Sequence, residues 1–239
     1  MFFSAADYCS RLSSREASFG VHYPFFDKQL SQYLRFNVNY SVYQNPGLGA
    51  NMPALSKRDV IVSQALKLFY RDGFNSTGVE RIIKEAGVSK KTLYNHFKSK
   101  NELVLATLRK RDELFRNNLM RETERRASVP RDRLLAIFDV HHQWFQEKEF
   151  SGCMFINASA EFSSHDDPCH MISAEHKRLV REYIRGQAEQ AGARDPDTLA
   201  KQLNLLLEGA IVDAHVSGNK NSALTAKDMA VVFIERSLD

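Results

Sequence analysis

Between Thr77 and Leu103 the chain reads TGVERIIKEAGVSKKTLYNHFKSKNEL, and this stretch restricts the fold more than any other. Ala86-Gly87-Val88-Ser89 leaves room only for a sharp reversal between two helices, with Gly87 where the first must stop and where positive φ is often needed. Thr77-x-x-Glu80 and Ser99-x-x-Glu102 both match a capping box, in which the hydroxyl accepts from the amide three residues on and the carboxylate reaches back to the cap amide. Ser89 stands where a helix over Lys90–Phe97 needs its N-cap, and Ser56 precedes the helix before them. Ile82, Ile83, Ala86, Val88, Leu93 and Phe97 are spaced to bury the inner face of such a unit. The expectation is a helix opened by Thr77, a tight turn, a second short helix, and a long helix opened by Ser99.

An ordinary helical hairpin would satisfy the caps but not the polar outer face of Lys90, Lys91, Thr92, Tyr94, Asn95 and His96. A helix-turn-helix does account for it, because the helix after the turn enters the major groove of DNA. Side-chain type then suggests roles. Lys90 and Lys91 reach guanine edges or phosphates, Thr92 a thymine methyl or a phosphate, and Asn95 a base edge; Thr77 both caps its helix and touches phosphate. Charge agrees: residues 53–105 carry ten Lys/Arg and five Asp/Glu, a net +5, against +1 for residues 1–52 and −2 for the remainder.

Residues from about Lys57 to Leu105 resemble the DNA-binding domain of the tetracycline-repressor (TetR/AcrR) family of bacterial transcription regulators. The residues that carry the likeness are Ala65-x-x-Leu68-Phe69, Gly73-Phe74, Thr77, Val79, Ile82, Ala86-Gly87-Val88-Ser89, Thr92-Leu93-Tyr94, His96-Phe97, Ser99-Lys100 and Glu102-Leu103. Two positions depart mildly, Ile83 where Ala is common and Gly78 where a hydroxyl residue is common. The resemblance implies that Tyr94, His96 and Lys100 clamp backbone phosphates, that a small inducer binds between the long helices of the C-terminal body, and that the last two helices form a four-helix interface with a second subunit. Double-stranded operator DNA, a small-molecule effector and a second copy of the chain are thus the expected partners.

The pattern after Ser99 is helical throughout, and the expected fold class is all-α: a three-helix DNA-binding domain over residues 53–103 and a helical effector-binding and dimerisation domain over 104–239. One long helix is expected from Ser99 to about Arg126, another from Arg131 to about Lys148 with Leu134, Ile137, Phe138, His141, Trp144 and Phe145 on one stripe, and a short buried helix over residues 152–158. The polar break His165-Asp166-Asp167-Pro168 precedes a helix to about Gln190; Asp195-Pro196 caps the next, and Thr225-x-x-Asp228 is expected to open the last. Within this body Phe138, His141, His142, Trp144, Phe155, Asn157, Glu161, Phe162, His176 and Tyr183 are candidates to line an effector pocket.

Residues 1–52 form a leader with eleven of the chain's 25 aromatic residues, no sustained helical period and a break at Asn45-Pro46-Gly47. Met52 stands just before the family-like segment, so the expectation is that translation starts there; a real arm that packs on the body or folds on a partner is the alternative. No run of apolar residues is long enough to span a membrane and no signal-peptide pattern is present, and the three cysteines, Cys9, Cys153 and Cys169, suit a reducing cytoplasm.

Other chemistries are weaker. His165, Cys169, His170 and His176 lack the paired short spacings of a structural zinc site, and Pro168 interrupts them. Ser163-Ser164-His165-Asp166 holds the residue types of a nucleophilic triad as immediate neighbours, which rarely converge in space. No cofactor, metal or enzymatic activity is expected. Cys153 follows Gly152 in an apolar stretch; an oxidant- or electrophile-responsive role there would require a nearby positive charge that the sequence does not reveal. That role, and a helical interaction protein without specific DNA binding, are the alternative readings.

Overall fold

The computed structural model describes residues 55–238. The leader, its break and the start at Met52 lie outside them. Every regular element among the described residues is an α-helix, in the order α1 (Lys57–Asp72), α2 (Val79–Ala86), α3 (Lys90–His96), α4 (Lys100–Arg126), α5 (Pro130–Phe145), α6 (Met154–Glu161), α7 (Pro168–Gln190), α8 (Pro196–Val216) and α9 (Ser222–Leu238).

Local capping sets most of these boundaries. Ser56, Ser89 and Ser99 accept through Oγ from the amides of Asp59, Thr92 and Glu102 at 3.1, 3.0 and 3.1 Å. The Glu102 carboxylate reaches back to the amide of Lys98 at 2.7 Å, one residue ahead of the cap. Asp167 and Asp195 cap α7 and α8, each followed by proline, whose missing N–H costs nothing in the first turn. Gly87 ends α2 in the left-handed region, φ 61° and ψ 36°, with its N–H directed to the carbonyls of Ile83 and Lys84.

Two capping expectations are not met. Thr77 does not cap α2. Its side chain is fully buried and Oγ1 donates to the carbonyl of Gly73 at 2.8 Å, closing the turn after α1, while Gly78 takes the cap position without a side-chain bond. α9 opens at Ser222, three residues before Thr225, because Ser222 Oγ donates to the carbonyls of Ala210 and Asn219 and fixes the first turn against α8.

α1 packs on α2, α3 and α4; α4 then continues into the body against α5, α6 and α7. There α8 packs on α5, α7 and α9, α5 also packs on α7 and α9, and α6 lies on α7 and α4. One apolar core runs from Ile61, Phe69 and Phe74 in the head through Leu103, Val104 and Leu108 to Phe138, Phe145, Ile184 and Leu203 in the body. The expected stripe of α5 is buried throughout. Among the described residues, no helix is long and apolar enough to cross a membrane.

Candidate nucleic-acid interface and effector cavity

α3 is held by its inner face. Leu93 and Phe97 are fully buried, and Arg58 of α1 lies over the Phe97 ring at 5.2 Å. The opposite face is open: Lys90, Lys91, Tyr94, Asn95 and His96 are exposed and Thr92 is half-buried. The Lys90 ammonium is 3.0 Å from Glu80 of α2, an exposed pair in which the carboxylate holds Lys90 above its ordinary pKa. Such a pair is weak in water, so Lys90 can trade Glu80 for phosphate. Thr92 shares a hydroxyl–hydroxyl bond of 2.9 Å with Ser89, and Lys100 donates to the carbonyl of Asn75 at 3.4 Å.

In the body, five helices meet around a cavity of about 20 Å³. Arg111 and Phe115 come from α4, His141 and Trp144 from α5, Met154 and Phe155 from α6 with Cys153 at its N-cap, His176 and Lys177 from α7, and Asn204 and Glu208 from α8. Aromatic edges dominate the wall: Phe115 meets Trp144 at 5.1 Å and His176 at 5.6 Å, and His176 stacks on Phe155 at 3.7 Å. The guanidinium of Arg111 lies over Tyr70 at 4.7 Å and over Trp144 at 5.9 Å, linking α1 to this wall.

The buried polar groups are mostly paired. His141 Nδ1 bonds to the carbonyl of Ile137 at 2.8 Å, and burial pushes its pKa down to about 4, so the ring is neutral near pH 7. His176 is also depressed by burial, against the pull of Asp112 at 2.8 Å. Burial alone would raise Asp112, but two bonds from Arg116, at 2.8 and 2.7 Å, and the contact with His176 bring it down to about 2. Of the four buried side-chain atoms without a hydrogen-bond partner among the described residues, Oδ1 of Asn204 is the one that belongs to the cavity lining.

Head and body are joined through both ends of α6. The Tyr70 hydroxyl donates to the carbonyl of Gly152 at 3.0 Å and accepts from the amide of Ser151 at 3.0 Å. At the other end the Glu161 carboxylate accepts from the amides of Phe74 and Asn75 at 2.9 and 2.6 Å, and Phe162 packs against Phe74 at 5.7 Å.

Comparison with known proteins places this arrangement. The family model for bacterial regulatory proteins of the tetR family matches residues 61–107, and the tetracyclin repressor-like C-terminal domain matches residues 130–229. A TetR-type transcriptional regulator of known structure from Streptomyces avermitilis is 30% identical, with 77% of this chain and 98% of that one covered and a TM-score of 0.68. The chain belongs to the TetR family. A TetR-family transcriptional regulator from Streptomyces coelicolor shares the fold at 24% identity and a TM-score of 0.72, over 77% of this chain and 96% of that one. The HTH-type transcriptional regulator YjdC of Escherichia coli is 23% identical over 73% of this chain and 91% of its own length. As a TetR-family member the protein is a DNA-binding transcription factor and not an enzyme.

The TetR fold sorts the candidate residues. Lys90, Lys91, Thr92, Tyr94, Asn95, His96 and Lys100 share the α3 end of the head, whereas the Thr77 hydroxyl, buried and bonded to Gly73, has no route to phosphate in this conformation. His141, Trp144, Phe155 and His176 line the cavity. Phe138 is core, Asn157 donates to the carbonyl of Ser151 at 3.4 Å, Phe162 sits at the head–body joint, and Tyr183 lies beside Thr123 of α4. Glu161, raised as a pocket residue, instead caps the turn of the head. The four residues of the metal reading do not converge among the described residues: the His165 and His170 rings meet edge to face at 4.6 Å, but His176 turns to Asp112 and His170 Nδ1 bonds to the carbonyl of Phe162 at 3.0 Å. Sequence reading missed Arg111, Lys177, Asn204 and Glu208, because a polar or charged residue on an amphipathic helix reads as solvated face until a neighbouring helix covers it, and it took Phe115 as plain helix core.

Proposed function

We propose that this TetR-family protein is a ligand-responsive repressor that binds a two-fold symmetric operator as a homodimer and is released when a small molecule enters the body cavity. The observation that carries the reading is α3 itself, a short helix pinned by Leu93 and Phe97 with Lys90, Lys91, Thr92, Tyr94, Asn95 and His96 on the free side. Lys90, Lys91 and Asn95 meet base edges or phosphates at the operator, while Tyr94, His96 and Lys100 grip the backbone. Two such helices on a symmetric dimer meet half-sites about one DNA turn apart.

The dimer reading is supported by the outer face of α8 and α9. Leu205 and Val216 are 73% and 76% exposed, Val212 lies between them on the same stripe, and Met229 and Val232 of α9 are half exposed. Leucine and valine so far open to water are costly on a monomer. The effector reading is supported by the aromatic wall and by Asn204, whose partnerless amide oxygen a bound donor would satisfy. A cavity of about 20 Å³ holds little more than a water, so an effector must part the helices around it, and that is the differential interaction a switch requires.

The test is binding to DNA from upstream of the protein's own coding sequence. Affinity is expected to fall on the order of hundredfold or more between about 50 and 200 mM salt as phosphate counterions are released. Tyr94→Ala and Lys100→Ala weaken binding to all sequences, while Lys91→Ala also changes base preference. Leu205→Glu with Val216→Glu yields a monomer by sedimentation with the same loss. Salt-independent binding, or a double variant that stays dimeric, refutes the respective part.

A further inference from the structure

Cys153 is the N-cap residue of α6, and its Sγ atom lies 3.3 Å from the ammonium of Lys177 on α7. The Lys177 ammonium is anchored in turn by Glu208 of α8 at 2.5 Å. We infer that Cys153, Lys177 and Glu208 form a covalent modification site for small α,β-unsaturated carbonyl compounds, and that an adduct there loosens the DNA-binding head. The second half rests on the reading of the protein as an effector-released repressor; the first does not.

Two features of the site mark the Cys153 sulfur as the nucleophile. The ammonium supplies the adjacent positive charge, and the residue, though part of the buried core, lines the cavity. Burial tends to lower Lys177, but the Cys153 sulfur and the Glu208 carboxylate outweigh it and hold the amine protonated. Cys169 is the internal control. It is buried beside Asp167, and burial first, then that carboxylate, pushes its thiol up to about 12. The cavity is reachable at this end, because the Lys177 and Glu208 side chains keep 26% and 25% of their surface exposed.

The reaction needs no oxidant. The thiol proton leaves to water and the sulfur lone pair attacks the β-carbon, forming a C–S bond. The π pair of the C=C bond shifts to the carbonyl oxygen as an enolate, beside Lys177. The α-carbon then takes a proton from the Lys177 ammonium, which regains one from water, so that the net change is addition of S–H across C=C.

The same geometry carries the consequence to the head. The cavity has no room for an adduct, so α6 must move. On the α8 side it cannot retreat, because Gly152 is packed so closely that a Cβ there would lie 2.7 Å from the His215 ring. The carbonyl of Gly152 is held by Tyr70 of α1, and Glu161 at the far end of α6 holds the amides of Phe74 and Asn75. Displacement of α6 therefore strains both the last turn of α1 and the turn that leads into α2.

The experiment exposes the full-length protein, free and bound to its upstream DNA, to acrolein at pH 7 and follows each cysteine by peptide mass spectrometry. Cys153 is expected to gain the adduct about tenfold or more faster than Cys169, with release of DNA in step. Cys153→Ser and Cys153→Ala should bind DNA but resist release. Lys177→Gln should slow alkylation about tenfold, and Lys177→Arg, which keeps the cation and the bond to Glu208, should restore much of it. Equal rates at Cys153 and Cys169, or an unchanged rate in Lys177→Gln, overturns the modification site. A Cys153 adduct that leaves DNA affinity intact overturns the coupling. Failure of the untreated protein to bind DNA indicts the repressor reading alone, since the alkylation rates remain readable.

Discussion

Head and body are built from the same kind of helix, yet they are specified at different range. In the head the decisive bonds are local: Ser56 to Asp59, Ser89 to Thr92 and Ser99 to Glu102 each span three residues. In the body they bridge distant segments, 64 residues between Asp112 and His176, 31 between Lys177 and Glu208, and 88 between Asp139 and Lys227. Local caps act independently, whereas groups that share one cavity constrain each other. The head should therefore respond to substitutions additively, and the body cooperatively and with pH.

The largest effect is expected in the body. His141 titrates near 6.5 when unfolded and at about 4 when folded, so the unfolded chain binds the extra proton between those values. Stability is then full above about pH 6.5 and falls by about 3 kcal/mol as pH drops toward 4. His176 is shifted in the same sense. Asp112, lowered from 3.8 to about 2, adds a second loss as pH falls through that lower window. Urea unfolding at a series of pH values checks this: His141→Phe should flatten the upper limb and leave the lower one. An unchanged upper limb in the variant would detach it from His141.

At the joint, Glu161→Ala strips the amides of Phe74 and Asn75 of their acceptor and is expected to cost about 2 kcal/mol. Hydrogen exchange should accelerate at those two amides and leave the centre of α8 protected. Uniform acceleration would mean that the residue serves global stability instead of the head–body link.

In the head, Ser56→Ala and Ser99→Ala should cost about 1 kcal/mol each and combine additively to within about 0.5 kcal/mol. A larger coupling would show that the head is not built from independent caps. The smallest change is Glu80→Gln. This exposed carboxylate adds little to stability, but its removal frees Lys90 and takes a negative charge from the DNA face, so affinity should rise a few-fold while the melting temperature holds.

Legibility followed the same division. Gly87 and the three serine caps could be read because the partner of each lies within one helical turn, and the stripe of α5 because burial repeats with the helical period. Thr77 shows where that reading fails. Its capping box is intact in sequence, but the hydroxyl had two possible partners, and the sharp exit from α1 at Gly73, φ 85°, offered the nearer carbonyl and buried it.

The amino-acid sequence by itself thus determined an all-α chain, the position of its turn and the polar outer face of α3, because caps, glycine conformation and amphipathic period act over a few residues. Only the tertiary structure decided that Lys177 stands beside Cys153, that Asn204 is left without a partner, and that Glu161 reaches the head. Those contacts depend on how α1, α6, α7 and α8 pack against one another, and no periodicity within a single helix encodes that.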